Sequence, residues 1–442
     1  MNSTSETWSA SRGPASYSFW ANWSGHGSMS CLGASANAPF RYRYSDLAWT
    51  SGTGHYPCSA TPGTYGRAKV TLIDFHSRDL ERLRQADRLR ELRAPAGHDF
   101  SSNDYLGLAS SNVLRAAARA ALDGGLALGS GGSRLLRGNA PEHEELEAEA
   151  ARLFTSEGAL FLGSGYAANT LVFSTLPQAG DRIFHDELIH ASAHEGMRLS
   201  RAPSEAFAHN DVDAAADAIE SWRAKGGAGT PWIAFETLYS MDGTEAPIAD
   251  FAALADHVGA MLLVDEAHAV GVCGAQGRGL AVAIHGRDDT VTLATCGKAL
   301  GCEGALIVSS AILRDFLINR GRGFIFSTAP SPLIAAVVRE SLKVVARADD
   351  RREKLRGHVE RAERVLAPLG IASTGSHIQP VVLDDDARTM RIAAALQAQG
   401  FDVRGIRPPT VPKGTSRLRL SITLNVGEQT IDDLAAALGE VL

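Results

Sequence analysis

Hydrophobic and polar positions divide this chain into three stretches. Over residues 1 to about 70 there is neither a helical nor a strand period. That segment is rich in Ser, Gly, Tyr and Trp, with Trp8, Trp20, Trp23 and Trp49 scattered among few charges. It lacks the basic start and apolar core of a secretory signal and the amphipathic, arginine-rich pattern of a transit peptide. It reads as a disordered or wrongly started extension with no part in the chemistry. From Leu72 the pattern becomes regular. Leu80, Leu83 and Leu89 recur at helical spacing and predict an arginine-dense helix over 76–92. Leu146, Ala150, Leu153 and Phe154 mark the buried stripe of a second helix over 141–154.

Short apolar runs at 159–162, 182–184, 232–235, 261–264, 291–294 and 306–308 then alternate with helical segments. Such runs suit strands buried on both faces. Their alternation with helices predicts an α/β fold with a mainly parallel sheet and ligand sites at the carboxyl ends of the strands. After about residue 340 a charged helix over 349–366 leads to a strand at 378–383, a helix near 388–399 and a strand at 417–424. In Arg417-Leu418-Arg419-Leu420-Ser421-Ile422 polar and apolar residues alternate, which predicts a sheet with one face in water. The expected organisation is an arm over 71–125, a large domain over 126–340 and a small α+β lobe over 341–442.

The composition narrows the function. A net charge of -7 over 442 residues gives no reason to expect nucleic acid or an anionic membrane as partner. No apolar run approaches the roughly 20 residues that span a bilayer. Cys31, Cys58, Cys273, Cys296 and Cys302 show neither metal-ligand nor disulfide spacing. The expectation is a cytoplasmic protein without a metal site.

The chemistry is carried by two strand ends. Lys298, in Thr295-Cys296-Gly297-Lys298, follows one β-branched run among small residues and can form an imine with an aldehyde. Asp265-Glu266-Ala267-His268 ends the run before it, where an acid and an imidazole can grip a heteroaromatic ring. Pyridoxal phosphate (PLP) requires this pairing, a lysine for its aldehyde and a carboxylate for its pyridinium nitrogen. The same four residues also spell a helicase-like box, but no G-x-x-x-x-G-K-[ST] phosphate loop accompanies them. Asp265 as a structural, ion-paired acid remains the plain alternative.

Other segments gain meaning beside these. Gly163-Ser164-Gly165-Tyr166 follows a strand and opens a helix, where backbone N–H groups can cradle a phosphate; Tyr166 could equally be a core aromatic. The cluster Gly129-Ser130-Gly131-Gly132 could be a flexible turn or a ligand loop. His190 could be an ordinary histidine or could stack on a cofactor ring, and His268 could donate to a phenolic oxygen. Ser240 lies just beyond a strand end. Arg407, stiffened by Pro408 and Pro409, suits a carboxylate or is a surface arginine.

Taken in order, these segments resemble the α-oxoamine synthases, a family of PLP enzymes of fold type I (aspartate-aminotransferase-like). The resemblance covers residues 75–442. It also rests on Ser101-Ser102-Asn103-Asp104-Tyr105-Leu106-Gly107, His190-Ala191-Ser192, Tyr239-Ser240-Met241-Asp242-Gly243 and Phe326-Ser327-Thr328. It implies that Lys298 carries the cofactor, that His190 stacks on its ring and that Asp265 pairs with the ring nitrogen. Ser240 and His268 would hold the ring-oxygen region, and Gly165, Tyr166 and Thr295 the phosphate. Thr328 would reach the phosphate of the other subunit of a homodimer. Arg90, Asn103, Arg407 and Thr410 align with substrate contacts; the register of Arg90 is set among Arg88 and Arg93. Val270 departs from the threonine common at its position.

The run Ile406-Arg407-Pro408-Pro409-Thr410-Val411-Pro412 is most similar to the branch of the family that makes 8-amino-7-oxononanoate in biotin synthesis. The implied substrates are L-alanine and pimeloyl-CoA or a pimeloyl carrier protein. Relatives that use glycine or serine with another acyl-CoA form the alternative. A non-catalytic subunit on the same fold is more remote, because Lys298, Asp265 and His190 are all present.

Overall fold

Each apolar run between residues 159 and 308 becomes a strand of a single sheet. The computed structural model describes residues 73–442, so the expectation for residues 1–70 lies outside the described residues. In chain order the strands are β1 (His98–Asp99), β2 (Gly158–Leu162), β3 (Arg182–Asp186), β4 (Ser204–Phe207), β5 (Pro231–Glu236), β6 (Met261–Asp265), β7 (Thr290–Thr295), β8 (Ala305–Ser309), β9 (Ile378–Asp384), β10 (Phe401–Asp402), β11 (Gly405–Ile406) and β12 (Ser416–Ser421). Seven form the main sheet in the order β2-β8-β7-β6-β5-β3-β4. Only β8 runs against its neighbours; the pairs from β7 to β4 are parallel.

Successive residues of these strands enter opposite cores, which is why the runs are apolar without alternation. Ile183, Trp232 and Leu263 face one cluster with Leu171, Val172 and Met197 from covering helices. Phe184, Ile233, Phe235, Leu262 and Val264 face another, where Phe235 stacks on Phe251 with ring centres 4.7 Å apart. The edge strand β4 was not expected from the sequence. It is half exposed and has no comparable apolar run.

The helix expected over 141–154 forms as Pro141–Leu153, started by proline at its first position. Leu146, Ala150 and Phe154 are buried, Leu153 partly so. The one expected over 76–92 stops at Gln85 and buries nothing. Asp87 takes a left-handed conformation (φ 55), and the N–H groups of Arg88 and Leu89 both turn back to the Leu83 carbonyl. That closes the helix in the manner of a left-handed C-cap. No helix among the described residues is long and apolar enough to cross a membrane.

Beyond residue 340 a helix spans Asp349–Leu366, and β9, β11 and β12 form an antiparallel sheet in the order β11-β12-β9. The wet face expected for β12 does not exist. All six of its residues are buried, with Arg417 and Arg419 only 5% and 6% exposed. The Arg419 Nε donates to the Ser240 carbonyl at 2.5 Å and its Nη2 to the Tyr105 hydroxyl at 3.1 Å, while Arg417 pairs with Asp242. The polar side of the strand meets the loop after β5 instead of solvent.

Candidate active site

The parallel strands deliver their carboxyl ends to one place. The loops or turns after β2, β3, β5, β6 and β7 border a cavity of about 370 Å³, lined among others by Asn103, Gly165, Tyr166, His190, Glu236, Asp265, His268, Thr295 and Lys298. This is where an α/β sheet is expected to bind its ligand. Lys298, three residues past β7, sets its Nζ 2.8 Å from Nε2 of His268, three residues past β6. Removal from water lowers the amine to about 8, against the raising pull of Asp265 and Glu236. His268 is buried, and desolvation first, then the charges of Lys298 and Arg419, push its imidazole well below the usual range. Its Nδ1 lies 2.7 Å from the Tyr105 hydroxyl, which donates to Asn103 at 2.9 Å.

Asp265 closes β6 and is 7% exposed. Its two oxygens accept from the Ala267 N–H (2.9 Å) and the Asn169 amide (2.7 Å). The other reach of Asn169 Nδ2 is to Ser192 Oγ at 2.9 Å, and that hydroxyl lies 2.8 Å from His190 Nδ1. His190 caps the helix Ala191–Leu199 and lines the cavity. Desolvation foremost, and the Lys298 charge behind it, hold its imidazole below the ordinary value, against the pull of Asp265.

The phosphate-type cradle is the start of the helix Gly165–Thr175. Ser164 caps it by accepting from the Ala167 N–H at 3.1 Å, which leaves the earlier N–H groups of the turn without intrahelical partners. Gly165 is required by packing as well. A β-carbon there would lie 2.7 Å from Cγ2 of Thr295, whose hydroxyl bonds the Ala267 carbonyl. Tyr166 is half exposed at the cavity and is not a core aromatic.

Not every expected residue reaches this cavity. Ser240 is buried beside it, its N–H on Glu236 and its carbonyl on Arg419. Thr328 is exposed and outside the lining. Arg90 and Arg407 border a separate cleft of about 530 Å³, where Arg90 donates to Thr410 at 3.3 Å and Arg407 to the Asp87 carbonyl. The Gly129–Gly132 cluster packs on the 329–331 segment, with Ser130 Oγ donating to the Ala329 carbonyl at 2.8 Å.

Sequence reading passed over Glu236, Asn169, Ser192 and Arg419. Glu236 pairs in register with Asp265 across β5 and β6, so two carboxyl groups stand side by side at the cavity floor. Burial, then the Asp265 charge, raise its carboxyl well above the usual range, and its Oε1 has no hydrogen-bond partner among the described residues. A glutamate ending an apolar run was the available signal. These residues fit pyridoxal phosphate: an amine with a depressed pKa, a hydrogen-bonded acid, an imidazole in the cavity wall and an N–H cradle at a helix start.

Comparisons with known proteins agree with the fold. The family model described as aminotransferase class I and II matches residues 97–438, and the chain belongs to that family. Within it the chain is 44% identical to 8-amino-7-oxononanoate synthase of Anaeromyxobacter dehalogenans over 348 residues, covering 78% of this chain and 86% of that one. Among solved structures, serine palmitoyltransferase from S. paucimobilis with a bound PLP–myriocin adduct superposes with a TM-score of 0.76. Its identity is 26% over 84% of this chain and 97% of that one. The 8-amino-7-oxononanoate synthase of Francisella tularensis gives a TM-score of 0.64 and 26% identity, over 78% and 97% of the two chains.

Proposed function

We propose that this chain is a PLP-dependent acyltransferase that condenses L-alanine with a pimeloyl thioester to give 8-amino-7-oxononanoate in biotin synthesis. The C–S bond of the thioester breaks as a C–C bond forms to the alanine Cα. The alanine carboxylate leaves as CO2, a proton returns to the same carbon, and the thiol of CoA or a carrier protein is released. The observation that carries this reading is the Lys298–His268–Asp265 constellation, in a chain 44% identical to a protein of that name.

Bound pyridoxal phosphate supplies an electron-withdrawing ring that stabilises negative charge at the amino acid's Cα. Lys298 would hold its aldehyde carbon. Its Nζ, lowered to about 8 by removal from water, would also suit a base that takes the proton at the amino acid's Cα near neutral pH. Asp265 would accept from the ring nitrogen, and its existing bonds from Asn169 and Ala267 keep its carboxylate in place. Gly165, Tyr166 and Thr295 would take the phosphate, and His268 and Ser240 support the ring-oxygen side. His190, in the cavity wall, would lie against the cofactor ring and offer a ring N–H to a substrate oxygen. Asn103, in the cavity wall, would meet the acyl portion, while Arg90 and Arg407 line the separate cleft, where an anionic group would find their guanidiniums, with Thr410 bonded to Arg90.

A homodimer fits the same picture. Leu128, Leu136 and Phe326 are 70%, 86% and 71% exposed around the segment that bears Thr328. So much apolar surface in one region calls for a partner, and Thr328 would then serve the partner's phosphate site. A second reading, serine or glycine with another acyl-CoA, draws support from the higher TM-score to serine palmitoyltransferase. Thiol release measured across alanine, glycine and serine with pimeloyl, acetyl, succinyl and palmitoyl thioesters separates the two. Turnover with alanine and pimeloyl-CoA, lost in Lys298→Ala, is the expected result; preference for another pair overturns the assignment.

A further inference from the structure

The hydrogen bonds around His190 have a direction that distances and donor chemistry determine. His190 Nδ1 lies 3.2 Å from the backbone nitrogen of Ser192 and 2.8 Å from its hydroxyl. A backbone N–H can only donate, so Nδ1 must present its lone pair, and the proton of the neutral ring is on Nε2. The Ser192 hydroxyl then donates to Nδ1 as well, leaving its own lone pairs for Asn169 Nδ2 at 2.9 Å. The second hydrogen of that amide goes to Asp265 Oδ2 at 2.7 Å. Turning the Asn169 amide over would set its carbonyl oxygen against the Asp265 carboxylate. The ionised acid therefore fixes Asn169, Asn169 fixes Ser192, and Ser192 fixes His190.

These linking groups are out of water: Asn169 is 5% exposed, Ser192 1% and Asp265 7%. In such surroundings a reversed bond leaves an unsatisfied donor or acceptor, which is the costly outcome. Protonating Nδ1 would bring two N–H groups face to face at Ser192. We infer that Asn169 and Ser192 are positioning residues that lock His190 as the neutral Nε2–H tautomer and aim that N–H into the cavity, in a setting commanded by the charge of Asp265. The groups with charge or titration near His190 are Asp265, Lys298, His194 and His268. Of these only Asp265 favours a charged imidazole, and it is joined to His190 through neutral links that accept no extra proton.

The consequence is that one acid serves two partners. The oxygen pair that would meet the cofactor's ring nitrogen also sets, three bonds away, the proton that would meet the substrate. The tautomer is a property of the chain itself; only its catalytic meaning rests on the acyltransferase reading.

The test is nitrogen-15 NMR of histidine-labelled protein, without and with PLP, with His190 assigned by His190→Gln. The expected spectrum has Nδ1 unprotonated and Nε2 protonated from pH 6 to 8. Ser192→Ala and Asn169→Leu remove the hydroxyl donor or its anchor while the backbone N–H of residue 192 remains, so they should raise the His190 pKa and shift the tautomer balance partly toward Nδ1–H. In the loaded enzyme they should lower kcat by about 10–100-fold, with KM for the amino acid changing less. A wild-type spectrum with the proton on Nδ1 overturns the inference even if both variants fail to fold. So do folded variants whose His190 shifts match wild type. If wild type shows the expected tautomer but does not turn over alanine and pimeloyl-CoA, the substrate assignment fails and the relay stands.

Discussion

Lys298 Nζ rests 2.8 Å from His268 Nε2, and both side chains come from the third residue beyond neighbouring parallel strands. An ammonium placed there has a neutral imidazole to donate to and little water, so its proton is easily lost. In cofactor-free protein the amine should react with the aldehyde of PLP at a rate that rises through about pH 8 and then levels. The sign follows from the lowered pKa: the unprotonated, nucleophilic form grows as pH increases past the folded value. His268→Phe removes the acceptor of the ammonium and should move the midpoint lower. A rate still climbing beyond pH 9 in wild type, followed by the colour of the bound cofactor, would contradict this.

Glu236 and Asp265 occupy registered positions on β5 and β6, and only one of the two buried carboxyls keeps its charge comfortably. Because the folded-state pKa of Glu236 is raised from 4.5, folding retains a proton that the unfolded chain gives up. Wild-type stability should therefore decline as pH rises above about 4.5, relative to Glu236→Gln, which carries a neutral group throughout. Denaturant midpoints for the two proteins, taken from pH 4.5 to 8, should diverge; parallel curves would show that Glu236 is ionised in the folded state.

The Arg419 guanidinium supplies donors to the Ser240 carbonyl, the Ser421 hydroxyl and the Tyr105 hydroxyl. Arg419→Leu strands those acceptors in a dry interface and should cost about 3 kcal/mol of unfolding free energy. Loss of the positive charge should also raise the pKa values of His268 and Lys298, both of which it lowers. Chemical denaturation measures the first effect, and cofactor uptake against pH the second.

Gly165→Ala drives a methyl toward Thr295 Cγ2, 2.7 Å away, at the turn that would cradle phosphate. The cofactor should bind more weakly by about 1–3 kcal/mol. Thr295→Ser deletes the methyl in the way, so the double variant should recover much of the loss. A titration of apoprotein with PLP gives the numbers. An additive double variant would mean that the two residues do not press on each other.

How much of this was legible in the chain depended on range. Runs such as 261–264 and 291–294 announced two-sided burial, and the acid and lysine at their ends announced the chemistry. The sheet brought those ends together as the alternation implied. Arg417 and Arg419 were misread because alternation reports polarity, not solvent, and the polar face of β12 turned out to meet Ser240 and Asp242. The first helix was drawn too long because a leucine spacing continues past Asp87, where the backbone reverses. Asn169 and Ser192 carry no signal of their own: Asn169 acquires a partner 96 residues away, and only the packing of two helix starts beside β6 gives the pair a direction.

The clasp of β12 on the loop after β5 has a bearing on protein engineering. Arg417 and Arg419 hold Asp242 and the Ser240 backbone, so segments some 175 residues apart must match each other atom for atom. Grafting a relative's carboxyl-terminal third to change acyl preference will succeed only if residues 239–243 travel with it. Left behind, that short loop would meet a foreign surface with its carboxylate and carbonyl unanswered, and the damage would surface first as a misshapen rim around Tyr105.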